Sequence, residues 1–94
     1  MDELLLSKIR LGIIAELLGS EWITFSSLQR ATQTTNGNLG AHLAKLIEAG
    51  YVSEKKTFVD RKPVTRYTLA PAGRAAFTTH VQEMQSLLTG TENS

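Results

Sequence analysis

Asn36, Asn38 and His42 are polar side chains set close together that can both give and accept hydrogen bonds, and with Ala41 and Lys45 they are expected to share one face of the stretch from Thr34 to Gly50. Carboxamide and imidazole groups carry both hydrogen-bond donors and acceptors. Their neighbours on this face are small or basic, so nothing obstructs the close approach of a large polar partner. The chemistry is therefore recognition through hydrogen bonds. Catalysis finds little footing. His42 and His80 lie on different elements, cysteine is absent, and no His-Glu-x-x-His, Walker or Rossmann glycine pattern occurs. A metal site built across two copies of the chain from His80 and carboxylates such as Glu83 is the remaining option, but a lone helical histidine is far more often a surface or interface residue. No metal and no cofactor is expected, and the chain is not expected to be an enzyme.

The element that positions these groups is a helix. Leu39, Leu43 and Leu46 recur at spacings of four and three, with Ile47 four after Leu43, which is one face of an α-helix and not a strand. Thr34 and Thr35 offer hydroxyls to cap its free N–H groups. Gly50 tolerates the left-handed conformation that ends helices, and Tyr51-Val52 begins an extended segment.

Length and composition set the bounds. Ninety-four residues suit a single domain over 1–94, with 41% hydrophobic and 20% charged residues, ordinary values for a globular chain. Without cysteine, disulfide frameworks and thiolate zinc sites are excluded. Met1-Asp2-Glu3 is acidic where a signal peptide would be basic, and no apolar run approaches a membrane-spanning length, so a cytoplasmic protein with no membrane partner is expected. The net charge of +1 hides a division. Residues 30–66 hold Arg30, Lys45, Lys55, Lys56, Arg61, Lys62 and Arg66 against Glu48, Glu54 and Asp60, a balance of +4, and the remainder balances at −3. A polyanion-binding face with an acidic back would produce this segregation; so would chance clustering of solvated lysines.

Around the central helix, residues 4–18 read as a first helix, with Leu6, Ile9, Ile13, Ile14 and Leu17 on one stripe and Leu4, Leu11 and Leu18 on an adjoining one. Glu21-Trp22-Ile23-Thr24 reads as a short extended piece, with Trp22 a packing residue at the domain edge. Thr24 caps a second helix, 25–31, with Phe25, Leu28 and Ala31 facing inward. The turn Thr32-Gln33-Thr34 lacks the glycine such turns often contain, so either Thr34 or Thr35 is placed to open the next helix. Residues 51–59 and 64–69 are rich in β-branched and aromatic types and flank Asp60-Arg61-Lys62-Pro63, a hairpin signal. Its basic tip suits either a phosphate contact or a solvated turn. A last helix starts at Pro71 and runs to 88, with Phe77, Val81, Met84 and Leu88 forming a seam that meets a partner helix or packs on the first helix of the same chain. Gly90 onward is a polar tail.

The run Asn-Leu-Gly-Ala-His-Leu-Ala-Lys-Leu-Ile-Glu-Ala-Gly-Tyr-Val at 38–52 resembles the recognition helix and first wing strand of winged helix-turn-helix transcriptional regulators of the MarR and ArsR types. Arg66-Tyr67-Thr68-Leu69-Ala70-Pro71-Ala72-Gly73-Arg74 resembles the second wing strand entering the last helix, so the likeness covers nearly the whole chain. The resemblance implies an α+β, mainly helical winged helix-turn-helix fold in the order helix, strand, two helices, two strands, helix. Residues 24–50 would be the helix-turn-helix, 51–69 the wing and 71–88 the dimerisation helix. It further implies double-stranded DNA as partner and a homodimer on a pseudo-palindromic site, acting most simply as a repressor. His42 takes the place of the family's recognition-face histidine. Asn36, Asn38 and His42 are then expected at base edges, where a bidentate Asn–adenine pair discriminates by about 1–3 kcal/mol. Thr34, Thr35, Lys45, Arg61, Lys62 and Arg66 are expected on phosphates. Leu4, Leu11 and Leu18, with Phe77, Val81, Met84 and Leu88, are the dimer-interface candidates. The competing reading is a winged-helix protein-interaction module, which would more naturally present large aromatic or arginine anchors on its readable face. The sequence is nearly silent on a small-molecule effector.

Overall fold

The computed structural model describes residues 1–90; the expected polar tail otherwise lies outside the described residues. Asp2 Oδ1 accepts the Leu4 N–H at 3.0 Å and opens a 3-10 turn over Glu3–Leu6. Ser7 then caps α1 (Lys8–Leu18), its hydroxyl accepting the Arg10 N–H at 3.2 Å. A single helix from residue 4 was expected, but two N-caps in succession break it at Ser7. The break shifts the helical phase, so Leu5 is buried and Leu6, expected on the inward stripe, is 59% exposed.

β1 (Ile23–Thr24) leads into α2 (Phe25–Thr32), where Thr24 Oγ1 accepts the Ser27 N–H at 3.2 Å. Leu28 is fully buried and Phe25 half-buried, but Ala31 is exposed. At 100° per residue Ala31 swings off the core, and Thr32 takes the inward place with its hydroxyl donating to the Leu28 carbonyl at 2.6 Å. Gln33 ends α2 in the left-handed conformation, φ 52° and ψ 47°. The Gln33 and Thr34 N–H groups donate to the Arg30 and Gln29 carbonyls at 3.4 and 3.3 Å, the paired bonds of a Schellman end. The turn that lacks glycine thus places its left-handed residue at Gln33, at a steric cost glycine would avoid.

α3 (Asn36–Glu48) ends in the same motif with Gly50 at φ 79°, the Tyr51 N–H reaching the Leu46 carbonyl at 2.9 Å. β2 (Val52–Val59) and β3 (Lys62–Leu69) form the hairpin, and β3 lies between β2 and β1 in an antiparallel sheet. Val59 faces Lys62 across a two-residue loop, Asp60-Arg61, both at positive φ (50° and 65°), which is a type I′ turn. Lys62 and Pro63, expected in the loop, belong to β3. Pro63 faces Phe58 beyond the reach of β1, which pairs only with Arg66 and Tyr67, so its missing N–H costs no ladder bond.

The core joins Leu5, Ile13, Ile14 and Leu17 to Leu28 of α2 and Leu39, Leu43 and Leu46 of α3, closed on the sheet side by Val52 and Tyr67. Each such leucine or isoleucine contributes about 1.5–3 kcal/mol by leaving water. Tyr67 tilts against Phe25 with ring centroids 6.4 Å apart. Burial pushes its phenol up to about 12, reinforced by Glu54 opposite it in the ladder.

α4 (Pro71–Thr89) starts with proline in its first turn. Its attachment is a close backbone approach: a Cβ on Gly73 would overlap the Tyr51 carbonyl oxygen and come within 2.8 Å of Leu69 Cδ1. The same carbonyl accepts the Ala70 N–H at 2.9 Å. Tyr51 also donates its phenolic O–H to Asp2, which ties the N-terminal turn to the α3–β2 junction and raises the Tyr51 pKa. No helix among the described residues is long and apolar enough to cross a membrane.

Candidate nucleic-acid interface

Thr35, not Thr34, caps α3, its hydroxyl accepting the Asn38 N–H at 3.1 Å and fixing Asn36 as the first helical residue. The Thr35 proton remains free to donate. Thr34 is half-buried and 3.0 Å from the Thr32 hydroxyl. Since Thr32 gives its only hydroxyl proton to Leu28, Thr34 must be the donor in that pair. Its hydroxyl is left with lone pairs to offer, and a phosphate oxygen wants a donor.

On α3 the buried direction is set by Leu39, Leu43 and Leu46. At 100° per residue the opposite direction belongs to Gly37, Ala41, Ala44 and Glu48, with Asn38 and Lys45 beside them, all exposed. Asn36, expected on the same face as Asn38 and His42, is exposed in the first turn but lies 200° around the helix from Asn38, off that face, because two residues advance an α-helix by more than half a turn. The bare centre of this face, made by Gly37, Ala41 and Ala44, was not fully legible as such, because Gly37 and Ala44 carry no functional group to draw notice. What it gives is access: a groove floor can approach the helix backbone while the carboxamides reach sideways.

His42 departs from the expected picture of a free side chain. It is half-buried on the edge of α3 that faces α1, with Arg10 Nη1 2.9 Å from its Nδ1. Arg10 is itself held by its Nε, which donates to the Leu4 carbonyl at 2.7 Å. The His42 pKa lies below the ordinary 6.5, first because burial penalises the cation and then because Arg10 and Lys45 repel it. Arg10 was missed by sequence reasoning, and no local signal could have found a pair 32 residues apart.

The wing carries the cations. Arg61 and Lys62 are exposed at and beside the tip, and Lys56 is exposed on the arm. Lys55 lies over the Trp22 ring, 5.9 Å from its centroid, so the partly exposed Trp22 supports a wing cation as well as edging the domain. Arg66 sits midway along the hairpin, paired with Thr24 and Lys55, half-buried, its Nε without a hydrogen-bond partner among the described residues. Among the described residues the only ion pair joins the Met1 amino group to Glu83 at 3.3 Å. Among the described residues, then, none of the basic residues of 30–66 is held in an ion pair. Phe58, not singled out from the sequence, is 77% exposed beside the tip.

The expected dimer residues divide. Leu11, Leu18 and Phe77 pack against their own core, and Leu4 and Val81 are half-buried. Met84 and Leu88 are exposed at 42% and 83%, joined by Leu87 at 69%. No cluster of three or more histidine, aspartate or glutamate residues among the described residues could hold a metal ion.

A cap-initiated helix with a bare polar face, braced by α2 and followed at once by a cationic hairpin, is matched over residues 9–88 by the family model described as a winged helix DNA-binding domain. The chain belongs to this family. The winged helix domain is 36% identical over 81 residues to an uncharacterized protein of Methanocaldococcus jannaschii, covering 86% of this chain and 88% of that one. It is also similar to a solved transcriptional regulator homologue from Pyrococcus horikoshii, at 28% identity and a TM-score of 0.87, covering 96% of this chain and 89% of the other. A MarR-family putative regulator from Porphyromonas gingivalis shares the winged helix fold at 22% identity and a TM-score of 0.71, over 98% and 86% of the two chains.

Proposed function

We propose that this chain is a sequence-specific double-stranded DNA-binding regulator of transcription that works as a homodimer. The observation that carries the reading is the juxtaposition on consecutive elements of an exposed α3 face of small and amide residues with wing cations that form no ion pair among the described residues. α3 would enter a major groove by its N-terminal half, with Asn36, Asn38 and His42 near base edges. Thr35, Lys45, Arg61 and Lys62 would hold phosphates, with Thr34 and Arg66 in lesser roles because their polar groups are engaged or half-buried. The similarity to a transcriptional regulator homologue supports the regulatory output. A homodimer is supported by the exposed Met84, Leu87 and Leu88 at the far end of α4, and two copies would place two α3 helices on a pseudo-palindromic site. Occupying a promoter would make the output repression.

The test is a salt series of binding to mixed duplex fragments with the wild type and an Arg61→Ala, Lys62→Ala double variant. Each lost phosphate contact lowers the slope of log affinity against log salt by about 0.9, so the double variant is expected to lose roughly 1.8. Failure of the folded wild type to bind any duplex at low salt overturns the reading and favours the interaction module.

A further inference from the structure

We propose that Arg10, on α1, is a positioning residue for base reading: it holds His42 as the Nε2–H tautomer, so that α3 presents a hydrogen-bond donor at this position and selects against cytosine. The proposal rests on the reading of α3 as the DNA-reading helix and names a determinant of its specificity. A guanidinium has donors and no acceptor. The 2.9 Å contact from Arg10 Nη1 to His42 Nδ1 therefore requires Nδ1 to be the acceptor, and the single proton of a neutral imidazole must sit on Nε2. The arginine is not free to swing away, because its Nε is anchored on the Leu4 carbonyl at 2.7 Å. That carbonyl stands in the turn set by the Asp2 cap, so the tether begins at the N-terminus and ends on α3.

Nδ1 and Nε2 lie on opposite edges of the ring, so with Nδ1 turned to α1 the Nε2–H points away from it. Nε2 has no hydrogen-bond partner among the described residues and is not one of the buried unpartnered atoms. The lowered His42 pKa, set first by burial and then by repulsion from the Arg10 guanidinium and from Lys45 within α3, agrees with a neutral ring in this contact. In the major groove a donor finds guanine N7 and O6, adenine N7 or thymine O4, whereas cytosine offers its own N4 donor. A loop residue with two free rotors could read either pattern. A tethered His42 cannot.

The free protein provides the first arm of the test. Long-range nitrogen–proton NMR of wild-type His42 at neutral pH is expected to show Nδ1 unprotonated and Nε2 protonated, with a pKa below 6.5; protonation at Nδ1 overturns the proposal. In Arg10→Met, which keeps the stem and removes the donors, the pKa is expected to rise toward 6.5 and the tautomers to mix, with Arg10→Lys restoring part of the wild-type signature. An unmoved titration and tautomer in Arg10→Met overturn it as well. Should Arg10→Met not fold, the wild-type spectrum still decides.

The second arm is site selection from randomised duplexes. His42→Ala and Arg10→Met are expected to lose the discrimination against cytosine at the same base position, about fivefold for a single hydrogen bond. Other positions keep their preferences. If Arg10→Met instead lowers the salt slope by about 0.9 and leaves base preference intact, Arg10 is a phosphate contact and the proposal falls. Absence of DNA binding by the wild type would overturn the recognition role while the spectra report on the tether separately.

Discussion

Helices α3 and α4 leave opposite kinds of surface uncovered. α3 buries Leu39, Leu43 and Leu46 completely and turns glycine, alanine and carboxamide residues to solvent. α4 buries only Gly73 and His80, near its start and middle, and exposes Met84, Leu87 and Leu88 toward its end. The first helix is held by its own chain and free to meet something hydrated and polar. The second is pinned at one end and leaves apolar surface that the described residues do not cover, the kind of surface that marks an association site. α3 thus anchors the core, and α4, in the proposed dimer, would carry the assembly.

The largest effect is expected from Leu46→Ala. It leaves a cavity in the core cluster that also holds Ile13, Leu17 and Leu43, and denaturant unfolding should show a loss of about 2–5 kcal/mol. A loss under about 1 kcal/mol would mean α3 is not part of the stabilising core. Next is Gly73→Ala, which forces a methyl onto the Tyr51 carbonyl. Overpacking of this kind costs about 1–3 kcal/mol, and because α4 is the displaced element, its amide hydrogens should exchange faster than those of α3. Unchanged stability would remove the pin from α4.

Gln33→Gly should act in the other direction. Relieving the left-handed strain is worth up to about 1 kcal/mol, reduced by the extra freedom glycine has when unfolded; a lower melting temperature would show that the Gln33 side chain does something its exposed position hides. The smallest change in stability belongs to Leu87→Ser with Leu88→Ser, within about 0.5 kcal/mol per site for the folded single chain. The same pair should move sedimentation from dimer to monomer. A large loss of single-chain stability would place these leucines in the core, and an unchanged dimer would assign the interface to another surface.

How far the sequence could be read follows from what each feature depends on. α3 was legible because its period is written by leucines that are buried, and the hairpin because β-branched residues bracket turn formers. The break at Ser7 was hidden: leucines at 4, 11 and 18 continue the heptad across it, and only the two capping side chains, Asp2 and Ser7, mark the interruption. Lys62 and Pro63 look like loop residues by type, yet the two left-handed residues before them close the turn early. At the candidate site, Asn36 and Asn38 stand exposed as expected, while the setting of His42 depends on Arg10. Gly73 is required by a backbone approach between segments distant in sequence, which no local pattern records. Residues chosen by their neighbours along the chain were readable, and residues chosen by neighbours across space were not.

The type I′ tip has a consequence for how this protein would change under selection. Asn-Gly is the pairing that turn favours, and the chain carries Asp60-Arg61 there instead, with arginine at φ 65°. A laboratory lineage selected only for heat resistance should drift toward glycine at position 61, gaining a relaxed hairpin. Such a lineage would grow sturdier while discarding the outermost cation of the wing.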